Sequence, residues 1–196
     1  MFRNVYQSGI LTVFNSASTQ PLQLWSSTVA KNYESSSIEI RDDDSDITGP
    51  VLLLQSADLQ STFISCPRRE SDTLGLKLPF MSISLKNIDH LFSFEIETAD
   101  NRGIVRRFRV GNYETKAHIG HDVSRLPLRL EQGWNYLTFD INDMTARIYG
   151  TKHMETRRVT FNSSVCLRLV LFADRIVSED QLPAELKLYG RFEECH

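Results

Sequence analysis

The strongest constraint on this chain is the spacing of its apolar residues. Short runs recur along its length, each closed by turn-forming residues. They include GILTVF from Gly9, VLLLQS from Val51, STFISC from Ser61, FSFEIET from Phe92, IVRRFRV from Ile104, WNYLTFDI from Trp134 and VCLRLVLF from Val165. PLQLW from Pro21, LGLKLPFMSISL from Leu74 and RRVTF from Arg157 read the same way. Strand side chains alternate between faces with period two, so each run can turn one face to a core. Enrichment in Val, Ile, Phe and Thr at this spacing marks a sandwich or barrel and not a succession of βαβ units. The expectation is a mainly β fold: a single antiparallel, jelly-roll-like β-sandwich over residues 1–196 with one or two short helices. A chain of 196 residues buries about 70% of its unfolded surface, enough to fold without disulfides or metal. VCLRLVLF is apolar on both faces, which places Leu169 and Leu171 in the core.

One hairpin can be written out residue by residue. Phe92, Phe94 and Ile96 share a face, and Glu95 and Glu97 share the other. A turn centred on Asn101 sets Phe94 against Phe108 and Glu95 against Arg107. Arg106 then falls on the apolar face opposite Ile96, where it needs either a shifted register or a partner. Asp140 through Gly150 offers an N-cap and a glycine stop for one helix. Ser178-Glu179-Asp180-Gln181 fits a capping box, and Pro183 limits that helix to a turn or two. Glu34 to Gly49 reads as an exposed acidic loop around a short strand.

Charge and motif content exclude several kinds of chemistry. Net charge is -3 with a pI near 6.0, unlike the strongly basic footprint of a nucleic-acid binder. Cys66, Cys166 and Cys195 are few, odd in number and far apart, which points to free thiols in a reducing compartment. No stretch approaches the roughly 20 apolar residues that cross a bilayer. No nucleophile elbow, phosphate loop or H-E-x-x-H helix is present, so neither catalytic residues nor a cofactor is expected. Asp42, Asp44 and Asp46 sit at calcium-loop spacing, but Ile47 and Leu53 stand where that loop needs Gly and Glu. His118 and His121, with Asp122, could meet a metal in a bent loop, although loop histidines are more often spectators. Trp25, Trp134 and Tyr136 could stack a sugar in a lectin-like module, against the simpler reading that each fills the core. Basic doublets remain at Arg68-Arg69, Arg106-Arg107 with Arg109, and Arg157-Arg158. Cross-strand pairing with glutamates competes with docking onto an acidic protein surface. The candidate partner-binding residues are Arg107, Arg109, Arg157 and Arg158, the last two expected as exposed charges of little consequence for stability.

The chain resembles the cilia- and flagella-associated protein twenty family of the ciliary inner junction, also known as basal-body up-regulated. The resemblance rests on MFRNVYQSG at the start, PLQLW, TFISCP from Thr62, LGLKLPF, RRFRVGNY from Arg106, PLRLEQGWN from Pro127, RIYGTKHMETRRV from Arg147 and FADRIVSEDQLPAELKLY from Phe172. It implies a non-enzymatic β-sandwich that helps join the B-tubule to the A-tubule of the doublet microtubule. The implied partners are tubulin and the Parkin co-regulated family protein. The implied places are the cytoplasm and its cytoskeleton, the ciliary or flagellar axoneme and the basal body, with nuclear roles for some members. The serine-rich and acidic stretch after Trp25, the segment Glu114 to Ser124 and the C-terminus from Arg191 depart from the family pattern.

Overall fold

The computed structural model describes residues 1–31, 35–42, 47 and 49–188. Asp43 to Asp46 of the acidic loop, Cys195 and the segment from Arg191 lie outside the described residues. Twelve strands are described in chain order: β1 Ile10–Asn15, β2 Ser26–Thr28, β3 Ser37–Asp42, β4 Pro50–Gln55, β5 Phe63–Cys66, β6 Phe80–Asn87, β7 Ser93–Asp100, β8 Val105–Gly111, β9 Val123–Pro127, β10 Gly133–Asp140, β11 His153–Asn162 and β12 Val165–Ala173. A helix, α1 Ile141–Tyr149, joins β10 to β11.

The strands form two packed sheets. Sheet A runs β10-β6-β12-β4-β3, with β1 also paired to β12; sheet B runs β2-β5-β11-β7-β8-β9. Pairing is antiparallel except between β8 and β9, which run parallel. Residues of period two interdigitate between the sheets: Phe94, Ile96, Phe108, Val159 and Phe161 from sheet B meet Leu52, Leu54, Met81, Ile83 and Phe172 from sheet A. Aromatic rings link the layers. Phe94 lies 5.7 Å from Phe161 and 5.1 Å from Phe139, and Trp25 lies 5.9 Å from both Phe14 and Phe161. Such pairs contribute about 0.5–1.5 kcal/mol each beyond the area they bury.

Helix α1 forms where its caps dictate. Asp140 accepts the Asp143 N–H, and Gly150 adopts a left-handed φ of 64° while donating to the Ala146 carbonyl. That conformation costs an L-residue and not glycine. The capping box at Ser178 also forms, around a 3-10 turn at Glu179–Gln181, with another at Ala184–Leu186. These turns belong to a strap that crosses the outer face of sheet A. Its Val177 and Leu182 pack on Leu169, Leu171 and Ala173, while Leu188 joins Ile47, Val51, Leu53 and Cys166. Leu169 and Leu171 are thus core residues of the side away from sheet B, at 1% and 0% exposure.

Two of the apolar runs are not strands over their whole length. PLQLW is a turn leading to the short β2, and only Phe80 onward of LGLKLPFMSISL is a continuous strand. Leu76 makes a single bridge to Thr156, and the glycine of this segment, Gly75, holds a φ of +67° with Arg3 pressed against it. The N-terminus is fixed on the same segment, through Phe2 to the Leu74 carbonyl at 2.6 Å and Gln7 to the Gly75 carbonyl at 2.9 Å.

Candidate functional site

Strand β11 carries two of the candidate residues and the β7–β8 hairpin the other two, Arg107 and Arg109. Its turn is organised by Asp100, whose Oδ1 accepts the N–H groups of Arg102 and Ile104, each at 2.9 Å. The result differs from a turn centred on Asn101: Phe94 faces Val110, Glu95 faces Arg109, Ile96 faces Phe108, Glu97 faces Arg107 and Thr98 faces Arg106. The offset is two residues, so every side chain keeps its face and changes only its partner. Arg106 does point inward and is buried. It pairs with Asp100 at 3.1 Å, lies 4.4 Å over the Tyr149 ring and donates to the His121 carbonyl. Burial pushes the Asp100 carboxyl up, but the Ile104 and Arg102 N–H groups and the Arg106 guanidinium outweigh it, leaving Asp100 below the usual carboxylate range.

The outer face of sheet B brings the other arginines together with the two glutamates. Arg107 Nε lies 3.1 Å from Glu97 and 3.8 Å from Glu95, and Arg109 Nη2 lies 3.0 Å from Glu95. Arg157 Nε reaches to 3.4 Å from Glu97, a Coulombic contact whose alignment is too poor for a hydrogen bond. Arg157 and Arg158 are neighbours in sequence, yet both leave the core side because β11 carries an irregularity there: Thr156 faces Thr98 and Arg158 faces Glu97, with Arg157 the extra residue. Within this ladder, three arginines (107, 109, 157) stand over two glutamates (95, 97), one positive charge in excess.

Arg158 has a different task, which corrects the expectation of a free surface charge. Its Nη1 donates to the Pro67 carbonyl at 2.7 Å and to Ser65 Oγ at 3.2 Å. Its Nη2 donates to the carbonyls of Arg69, Glu70 and Asp72 at 3.0–3.1 Å. The planar fork gathers the carbonyls of the loop that leaves β5, so Arg158 holds that loop in place. Arg68 and Arg69 ride on the same loop and are exposed.

Two clefts open on this face and share Phe63. One, of about 400 Å³, lies among Arg68, Glu70, Glu97, Arg107 and Arg158. The other, of about 180 Å³, lies among Tyr113, Ser93, Asn162 and Arg109. The Tyr113 ring lies against Gly111, where a Cβ would meet it at 2.9 Å. Arg125 joins the face on β9, opposite Arg109. Phe63, Tyr113 and Arg125 were not legible as site residues, because β9 lacks an apolar alternation and nothing local marks the other two.

The remaining candidates sit elsewhere. His118 bridges Arg125 through its main chain, while exposed His121 contacts Asp122 at 2.5 Å. Among the described residues no three His, Cys, Asp or Glu groups converge. Trp25 is buried and donates to the Val13 carbonyl at 2.8 Å. Trp134 packs against the Val51–Leu53–Cys166 cluster, and the Tyr136 hydroxyl donates to the Val177 carbonyl at 3.1 Å. The three aromatics therefore do not form one stacking platform. Burial pushes the Cys66 thiol up to about 12, which keeps it protonated and unreactive at neutral pH.

The two sheets and their charge-laddered outer face define a β-sandwich whose candidate site is a surface and not an enclosed chamber. A protein-family model for the CFA20 domain matches residues 1–190, and the chain belongs to that family. "Cilia- and flagella-associated protein 20" of Chlamydomonas reinhardtii is 38% identical over 96% of this chain and 97% of that protein. Proteins of the same name are 39% identical in Caenorhabditis elegans, over 96% of this chain and 91% of that one, and 36% identical in Paramecium tetraurelia, over 96% of each. Among solved structures, a family 11 carbohydrate-binding module from Clostridium thermocellum aligns at 8% identity with a TM-score of 0.45, covering 88% of this chain and 100% of that one.

Proposed function

We propose that this chain is a non-enzymatic architectural protein of the cilium or flagellum, acting at the inner junction where the B-tubule meets the A-tubule of the axonemal doublet. The observation that carries the reading is 36–39% identity, across nearly the whole chain, to proteins named as cilia- and flagella-associated. Tubulin and the Parkin co-regulated family protein are the proposed partners, with the cytoskeleton, axoneme and basal body as the places of action. The outer face of sheet B is the proposed tubulin-facing surface. Its excess of arginine over glutamate suits an acidic partner, and its ion pairs give that partner a fixed geometry to meet.

Co-sedimentation with microtubules over a salt series tests the reading. Arg107→Gln combined with Arg109→Gln should leave the protein folded, weaken association several-fold and flatten its salt dependence. Binding equal to wild type at low salt, with the fold intact, sinks this surface as the docking face.

A further inference from the structure

An open sheet must blunt its outermost strands, because an unpaired row of N–H and C=O groups is a template for another chain. Four of the strands with an unpaired side carry such a device. β2 is three residues long. β3 places exposed Glu39, Arg41 and Asp42 among its six residues. β9 ends at Pro127, and its free side is taken by His118, which exchanges two main-chain bonds of 2.8 Å with Arg125. β1 has the turn at residues 18–24 folded beside it, and the Trp25 indole occupies the Val13 carbonyl.

β10 has none of these. It runs eight residues in unbroken register, from Gly133 opposite Asn87 to Asp140 opposite Phe80. Its sequence GWNYLTFD contains no proline and no charge before Asp140. From Asn135 to Phe139, the main-chain groups turned away from β6 take no main-chain partner among the described residues. Leu137 and Phe139 face the core yet are only half-buried, and Thr138 is exposed.

We propose that β10 is a strand-addition site, which takes an extended segment of a partner polypeptide as a further strand of sheet A. The local charge specifies that segment. Asp140 closes the strand, and Glu179 on the strap lies two residues beyond Val177, whose carbonyl accepts the Tyr136 hydroxyl of β10 at 3.1 Å. Neither carboxylate forms an ion pair with a described residue, whereas Asp143 is matched by Arg147 at 2.8 Å. The fitting partner alternates small apolar residues over Leu137 and Phe139 and carries a lysine or arginine where it passes Asp140 and Glu179. A second β10 brings no cation, so a copy of this chain does not meet the requirement. This docking is separate from the arginine face, which lies on sheet B.

The test titrates the full ¹⁵N-labelled chain with the synthetic peptide Lys-Thr-Val-Thr-Val-Thr-Val-Lys and with its glutamate-ended counterpart. The lysine-ended peptide should shift the amides of Asn135 to Asp140 and slow exchange at alternate ones, and the glutamate-ended peptide should bind several-fold more weakly. Thr138→Lys, which supplies the missing edge charge, should weaken binding about tenfold or more, while Thr138→Gln retains it. Shifts confined to other strands, equal binding of both peptides, or unchanged binding by Thr138→Lys overturns the proposal. A dimer in sedimentation equilibrium that Thr138→Lys dissolves also overturns it, in favour of self-pairing.

Discussion

The two sheets bury the same kind of inner face and treat their outer faces in opposite ways. On sheet A, β12 is buried at all nine positions, because the strap lays Val177 and Leu182 over Leu169 and Leu171. On sheet B, β7 alternates, with Phe94 and Ile96 inside and Glu95 and Glu97 half-exposed. A run apolar on both faces announces a covered strand, and a strict alternation announces a strand with one wet face. The wet face is where the charge ladder and the clefts lie.

The largest effect should come from the covered side. Leu171→Ala is expected to cost about 2–5 kcal/mol in denaturant unfolding, since the strap cannot collapse fully into the space left. Thr160→Ala, on the outer face of β11, should cost far less; near-equal losses would break the contrast between the faces.

Acid should act next, through His153. Its ring nitrogens contact Asn142 and Thr156 at 3.2 Å. Burial lowers its pKa to about 4, against the opposing pull of Glu155 and Asp140. The folded protein then binds fewer protons than the unfolded chain between about pH 6.5 and 4, so stability should fall as pH drops through that window. The loss is on the order of 2–3 kcal/mol. His153→Gln should flatten the slope of the pH–stability curve, and an unchanged slope would assign it to other groups.

A smaller loss is expected at Arg158. Arg158→Ala strips the donors from carbonyls of the 67–72 loop and should cost about 1–3 kcal/mol. Proteolysis within that loop should rise in the same variant. The exposed ladder should matter least for folding: Arg107→Gln with Arg109→Gln should shift stability by about 1 kcal/mol or less. A larger shift would mean that sheet B relies on its outer charges as sheet A relies on its strap.

Most strands were legible because their apolar period is local information. The α1 caps and the Ser178 box were legible for the same reason. The strap was not, since Val177, Leu182 and Leu186 lie in a polar stretch whose partners are on other strands. β9 was missed because SRLP alternates weakly, and its parallel pairing with β8 depends on the whole β-sheet. For the site, inward-pointing Arg106 followed from alternation alone, but its partner Asp100 depended on the turn. Arg157 and Arg158 looked equivalent in sequence. An extra residue in β11 and a loop more than 80 positions upstream separate a ladder charge from a loop clamp.

The hairpin register has a consequence for how this surface can change over evolutionary time. Arg107 already lies within 3.8 Å of Glu95 as well as 3.1 Å from Glu97. A slide of the hairpin by two residues would set Arg107 against Glu95 and Arg109 against Ser93 and leave the charges on the same face, whereas a slide by one would turn the arginines into the core. The side on which the charges lie therefore survives a register shift of two residues, at the loss of one rung, and not a shift of one. Lineages can shift this register in steps of two and keep the charges on a partner's footprint, with Phe94 opposite Val110 and Ile96 opposite Phe108 marking the native register.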